Sequence, residues 1–297
     1  MIPVGFEDRR VPVDTEAGHI QAWIGGAGPP LLLLHGYPQT RWMWRPLLGE
    51  LARSRTVVAA DLRGYGESGR PTADPAAERY SKRAMAADMA ALMDELGIDR
   101  CPVIGHDRGA RVAHRFALDH PDRTSAVGVL DILPTRTLLR GTDLGFATAY
   151  WHWFFLAQGG GLPERMIGAD PSGFADELLT RWSAYPDRIP AENREEYLRR
   201  FTVGAVAASC ADYRAALGPD LEADDADVAA GNRVRMPLLA LWGALGAMGR
   251  LYDIAESWRA VADDVTGVAV DAGHFVVEEA PGETFTAIEA FLARVGA

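Results

Sequence analysis

One carboxylate in this sequence stands where a nucleophile would stand. In CPVIGHDRGARVAHRFALDHP (101–121), Gly105, Asp107 and Gly109 form a G-x-D-x-G pattern between a short apolar run and a helical one. In the related G-x-S-x-G elbow, the glycines permit a strained strand-to-helix turn that lifts the central side chain out of a sheet, at the positive end of a helix. Here an aspartate takes that place. Asp before a helix most often caps it, and from this segment alone the two readings of Asp107, nucleophile or N-cap, stand level.

Two later residues shift that balance. His274, in DAGHFVVEEAP (271–281), lies just beyond the last predicted strand, and ligands of parallel sheets gather at the carboxyl ends of the strands. A lone histidine is more often a packing or surface residue. The chain order elbow, acid, histidine nevertheless matches the triad order known for such an elbow, and Asp131, ending the apolar run AVGVLD, is the natural acid.

The elements that must hold these residues follow from the apolar pattern. Residues 4–25 alternate polar and apolar types around DTEAGH, which predicts an antiparallel strand pair with one wet face. LLLLHG, TVVAADLRG, CPVIGHDRG and AVGVLDILP are apolar runs ending in polar residues, the pattern of parallel strands buried on both faces. Helical spacing at 82–96 and 108–119 separates them, so strand and helix alternate and a right-handed, doubly wound sheet is expected.

From about 135 to 230 the strand signal gives way to aromatic-rich helical segments, AYWHWFFLAQ and REEYLRRFTVGAVAASCADY. The sheet pattern resumes with PLLALWG, a helix near 250–262, TGVAVDAGH and a terminal helix from about 282. Residues 1–134 and 231–297 are therefore expected to form one α/β core, and 135–230 a helical cap inserted within it. The acidic run EADDADVAA (222–230) reads as a solvated loop or helix end.

Composition excludes other classes. With 30 Lys and Arg against 41 Asp and Glu, the net charge of -11 opposes nucleic acid and anionic lipid as partners. An anionic substrate would also be repelled unless cations were concentrated in its pocket. Two cysteines, Cys101 and Cys210, give no disulfide framework or metal spacing, which suits a reducing cytoplasm. The first residues lack the apolar core of a signal peptide, and no window approaches the roughly 20 apolar residues of a bilayer span.

HGYP (35–38), DLRGYGES (61–68), GHDRGAR (105–111), VLDILPT (129–135) and GHF (273–275) together resemble the fluoroacetate (haloacetate) dehalogenase family of the α/β-hydrolase superfamily, over nearly the whole chain. HGYP and DLRGYG are shared with epoxide hydrolases and haloalkane dehalogenases and mark only the superfamily. The resemblance implies an eight-stranded, mostly parallel α/β-hydrolase sheet with a cap, a homodimer, and hydrolysis of a small anionic haloacid with no metal or organic cofactor. Asp107 would attack the α-carbon, and His274, oriented by Asp131, would activate water against the resulting ester. Arg108 and Arg111 are similar to the family's carboxylate clamp; a guanidinium suits this because it forms paired bonds to a carboxylate. WHWFFLAQ and CADYRA carry over His152, Trp153 and Tyr213 as donors to the departing halide. Trp151 and Phe155 are expected to be cap core. Backbone N–H groups of Tyr37 and Arg108 would form the oxyanion hole.

Epoxide hydrolysis is the competing expectation. It shares the Asp-His-Asp machinery but uses two cap tyrosines, for which Tyr213 and Tyr150 are available. Neutral haloalkanes would leave two pocket arginines without a charge to meet. A binding protein that kept the fold and lost catalysis should lack a triad member, and all three are present. Around LWGALGAMGR the resemblance leads one to expect a more polar residue near Leu245, which bears on the rim of the site or on the support of the acid loop.

Overall fold

A computed structural model describes residues 1–296. Its strands are β1 (Phe6–Pro12), β2 (His19–Gly26), β3 (Pro30–Leu34), β4 (Thr56–Ala60), β5 (Cys101–His106), β6 (Thr124–Leu130), β7 (Leu238–Gly243) and β8 (Val265–Val270). They form one sheet in the order β1-β2-β4-β3-β5-β6-β7-β8. β1 and β2 pair antiparallel, β2 meets β4 antiparallel, and every later pairing is parallel. This is the doubly wound sheet that the alternating pattern predicts, in the eight-stranded, mostly parallel form of the α/β-hydrolase fold that the resemblance implies. No helix among the described residues is long and apolar enough to cross a membrane.

The central strands are apolar throughout because both faces are covered, and successive side chains point to opposite faces. Leu32, Leu34, Val58 and Ala60 face one core, with Met85 and Met89 of α2 (Lys82–Glu95, after α1 at Arg45–Leu51) and Phe116 of α3 (Arg108–Asp119). Leu31, Leu33, Val57 and Ala59 face the other, which also holds Leu47 and Leu48 of α1.

Between β6 and β7 the chain is helical: α4 (Thr135–Arg140), α5 (Leu144–Ala149), α6 (Trp151–Leu156), α7 (Leu162–Gly168), α8 (Pro171–Trp182), α9 (Ala191–Arg200), α10 (Val203–Leu217) and α11 (Pro219–Ala230). The stretch 194–213 is two helices, because Thr202 opens a new one by accepting from the Ala205 N–H at 3.4 Å. The acidic run at 222–230 is not a loop but the C-terminal part of α11, and it is not merely solvated. Asp224 and Asp227 each accept from Arg115 at 2.7 Å, and Asp225 accepts from Arg136 at 2.7 Å, so these charges bind the insertion to the core and to α4.

After β7 come α12 (Ala247–Leu251) and α13 (Ile254–Arg259), where the apolar spacing predicts a single helix. Asp253 interrupts it, accepting from the Glu256 N–H at 2.9 Å as a new N-cap. A short α14 (Val276–Glu279) and a long α15 (Pro281–Val295) complete the fold.

The site depends on how closely α3 lies against the sheet. A Cβ on Gly105 would sit 2.3 Å from the Gly109 backbone, and one on Gly109 would sit 2.5 Å from the His35 carbonyl oxygen. Only glycine fits at either place. Replacing a helical glycine by alanine ordinarily gains about 1 kcal/mol of helix propensity. In Gly109→Ala that gain is expected to be reversed, with a net loss of about 1–3 kcal/mol, because the obstructing atoms are backbone and overpacking cannot be relieved by a rotamer. Urea denaturation checks the sign, and a variant more stable than the parent would contradict the close approach.

Candidate active site

Asp107 sits between β5 and α3 with φ 44° and ψ -112°, in the left-handed half of backbone space, and its side chain makes no capping bond to α3. The capping reading therefore fails. A non-glycine residue held in that region stores strain of order 1–3 kcal/mol and persists only where its surroundings over-determine it. The Asp107 N–H is fixed on the Leu130 carbonyl at 3.1 Å, and Oδ2 accepts from the Tyr37 N–H at 3.0 Å. The Tyr37 N–H is thus directed at the Asp107 carboxylate. The Arg108 N–H makes no bond to the Asp107 carboxylate in this conformation, among the described residues.

Asp131 also has a positive φ, 53°, at the end of β6. Its Oδ1 accepts from the Gly243 N–H at 3.0 Å, and Oδ2 lies 2.6 Å from Nδ1 of His274. An Nδ1–H directed at Asp131 leaves Nε2 as the basic nitrogen. His274 and Asp107 line the same cleft, of about 390 Å³. Burial works against a charged His274, but the hydrogen bond and negative charge of Asp131, with the charge of Asp107, raise its pKa above the ordinary 6.5. Burial would likewise raise the Asp107 carboxyl, yet His274, Arg108 and Arg111 hold it below its ordinary range, so the nucleophile is ionised.

Arg108 and Arg111 flank the elbow under an aromatic roof. The Arg108 guanidinium carbon lies 4.3 Å from the Tyr213 ring and 5.3 Å from Trp153, and that of Arg111 lies 4.5 Å from Trp153. Tyr213 meets Trp153 and His152 edge-on, each at 5.7 Å. Helices α6 and α10 therefore bring His152, Trp153 and Tyr213 together over the two arginines, all of them buried. Burial pushes His152 down to about 3, so it is a neutral imidazole, and keeps Tyr213 a protonated phenol.

The arginines are not the symmetric pair that their spacing suggests. Nε and Nη2 of Arg108 are already spent on Asp212, at 2.9 and 2.5 Å, leaving only Nη1 without a partner among the described residues. Arg111 gives Nη1 to the Leu133 carbonyl and the Thr135 hydroxyl, and its Nε is unpartnered. Nδ1 of His152 is unpartnered too. Burial and the charge of Arg108 push Arg111 down to about 10, still a cation at neutral pH.

Trp151 departs from its expected place. It is 36% exposed and lines the cleft beside Tyr150, Trp182 and Leu245, while Phe155 is half-buried. Leu245 thus makes an apolar section of the rim.

Asp212 is a residue that the sequence reading passed over, although it stands next to Tyr213 in CADYRA. Fully buried, it accepts from Arg108, from the Tyr65 hydroxyl at 2.7 Å and from Lys82, and those two cations hold its carboxyl well below the ordinary range despite burial. Glu279 was equally silent. It accepts from the N–H groups of Ala184, Tyr185, Gly273 and Phe275 at 2.7–3.0 Å, tying the His274 loop to the end of α8.

Asp212→Ala would leave Arg108 and Lys82 buried without their counter-charge. Breaking a buried pair on one side costs about 3–5 kcal/mol, whereas an exposed pair costs about 1 kcal/mol or less. Denaturant unfolding is expected to show the larger loss, with Asp212→Asn milder because it keeps an acceptor. A loss of the exposed-pair size would mean that water or another group takes over.

Residues 29–281 match the family described as alpha/beta hydrolase fold. A fluoroacetate dehalogenase from Burkholderia sp is 42% identical over 290 residues, covering 97% of this chain and 94% of that one. A soluble epoxide hydrolase from Corynebacterium sp. (strain C12) is 35% identical, covering 91% and 95%. The crystal structure of an alpha/beta hydrolase from Nostoc sp PCC 7120 superposes with a TM-score of 0.94 at 48% identity, over 97% of this chain and 98% of that one. With its elbow, its acid and its histidine each at the carboxyl end of a parallel strand, the chain belongs to the α/β-hydrolase superfamily and, within it, to the haloacetate dehalogenase family.

Proposed function

We propose that this hydrolase cleaves the carbon–halogen bond of small 2-haloacids, converting fluoroacetate to glycolate and fluoride. One observation carries the reading: two buried guanidinium edges, Nη1 of Arg108 and Nε of Arg111, have no partner among the described residues and flank an ionised carboxylate. A buried, unpaired donor costs about 1–3 kcal/mol, which a carboxylate substrate would recover through charge-assisted bonds. The likeness to a fluoroacetate dehalogenase supports the same reading.

In the first step a carboxylate oxygen of Asp107 attacks the α-carbon, and the halide leaves with the bonding pair toward His152, Trp153 and Tyr213. Neutral N–H and O–H donors suit a fluoride ion that has lost its water, because fixed dipoles in a dry pocket replace its hydration. The product is an ester between Asp107 and a 2-hydroxyacid. In the second step Nε2 of His274 takes a proton from water, and the hydroxide attacks the ester carbonyl carbon of Asp107. The N–H groups of Tyr37 and Arg108 hold the oxyanion. Collapse expels the hydroxyacid oxygen, which takes the proton back from His274, and Asp107, left as a carboxylic acid, gives up the remaining water proton to solvent and is again a carboxylate.

Epoxide opening by the same residues is the second reading. It is favoured by Tyr150, which lines the cleft with its hydroxyl kept protonated by burial, and by the epoxide hydrolase relative.

Fluoride release from fluoroacetate is expected in the parent and absent in Asp107→Asn, read with a fluoride electrode. Hydrolysis of chloroacetate alone would remove the fluoride claim, and epoxide turnover without either would install the second reading. His274→Asn should give one equivalent of halide and then stop, with the protein heavier by one carboxymethyl group in intact-mass spectra; continued turnover would exclude His274 as the base. His274 must be neutral to accept a proton, and its pKa is raised, so kcat should climb with pH through a midpoint above 6.5 and then level off. A midpoint below 6.5 would contradict the Asp131 pairing.

A further inference from the structure

A protein carrying a net charge of -11 repels an anion at long range, whatever its active site offers on contact. The cleft that reaches Asp107 and His274 is nevertheless not acidic. Among the described residues lining it, Asp107 is the only carboxylate, whereas Arg181 of α8 and Arg250 of α12 both belong to its wall. Both arginines are exposed, so they stand at its outer part.

The two differ in how their charge is compensated. Arg181 gives Nε and Nη2 to Glu177, one turn earlier on α8, at 3.2 and 2.6 Å. Arg250 has no acidic partner among the described residues. Its Nη1 donates to the Leu245 carbonyl at 2.7 Å, which fixes the side chain on the rim without cancelling its charge. That anchor comes from the same segment as the exposed Leu245 side chain. The rim therefore has an apolar side chain with an oriented cation beside it. A cleft with low-dielectric walls and charge of one sign focuses field lines toward its mouth and concentrates the opposite ion there.

We propose that Arg250 is a specificity-determining residue that draws anionic substrates into the cleft, in preference to neutral ones, and hands them inward to the arginines beside Asp107. This inference rests on the 2-haloacid reading. Its effect lies in capture rather than in chemistry, since Arg250 is outside the reacting group. Removing it should therefore lower kcat/KM and leave kcat unchanged.

The test compares Arg250→Gln, Arg250→Glu and Arg250→Lys with the parent, using chloroacetate over a range of potassium chloride concentrations. At low salt the expected kcat/KM losses are roughly 3-fold for the Gln variant and roughly 10-fold for the Glu variant, sizes set by removing or reversing one charge in a screened field. Arg250→Lys should keep the parent value because it keeps the charge. All losses should fade toward about 1 M salt, where the screening length is about 3 Å. Unchanged kcat/KM in the Gln and Glu variants overturns the proposal, as does a loss that persists at high salt or is shared by Arg250→Lys. A parent enzyme that turns over no haloacetate overturns the 2-haloacid reading and this inference with it, an outcome distinct from an active parent whose variants are indifferent.

Discussion

Burying an ionised carboxylate is the constraint from which the rest of this structure follows. Asp107 is only 6% exposed, and in such a place a lone carboxyl would take up a proton and lose its nucleophilicity. The positive groups around it prevent that, but each creates a debt of its own in desolvation. Arg108 is fully buried and is compensated by Asp212, which in turn takes Lys82 and the Tyr65 hydroxyl, and Lys82 also pairs with Asp220. The sequence of compensations runs from the elbow to α10, and from there through α2 to α11. A requirement at one atom thus dictates contacts between the core and the helical insertion.

The same ion chain sets the division of labour between the arginines. Coupling to Asp212 leaves Arg108 a single unpartnered nitrogen, Nη1, and a well-fixed plane between Tyr213 and Trp153. Arg111 has no acidic partner among the described residues and is held instead by a carbonyl and a hydroxyl. Its charge is the less cancelled of the two, although His274 and Arg108 act on the Asp107 carboxyl more strongly than Arg111 does. Placing Asp212 and Tyr213 in succession on α10 means that one helix supplies both the counter-ion and a wall of the site.

Backbone geometry does complementary work. Asp107 and Asp131 both carry positive φ at the carboxyl ends of neighbouring strands. Each is locked by main-chain bonds, Asp107 through the Leu130 carbonyl and Asp131 through the Leu241 carbonyl at 2.8 Å. The strain points both carboxylates out of the sheet, where His274, held by the Glu279 cage, meets Asp131.

What the sequence by itself determined was local. Apolar alternation set the sheet and its two faces, the glycines of G-x-D-x-G set the elbow, and chain order set the partners Asp131 and His274. The bounds of helices at Lys82 and Arg108 were legible because propensity and apolar spacing agree there. Tertiary structure alone decided the rest. Whether Asp107 caps a helix or is strained above it depends on φ, which no residue type fixes except by its neighbours. Asp212 looked like any helical aspartate, and the acids of α11 like a solvated run, because the cations that claim them are 85 or more residues away along the chain. Trp151 was aromatic and therefore read as core, yet burial depends on which face of α6 meets the body, and that face is set by packing. Charge pairing and burial are properties of distance in space, and for those residues the sequence holds no local trace of it.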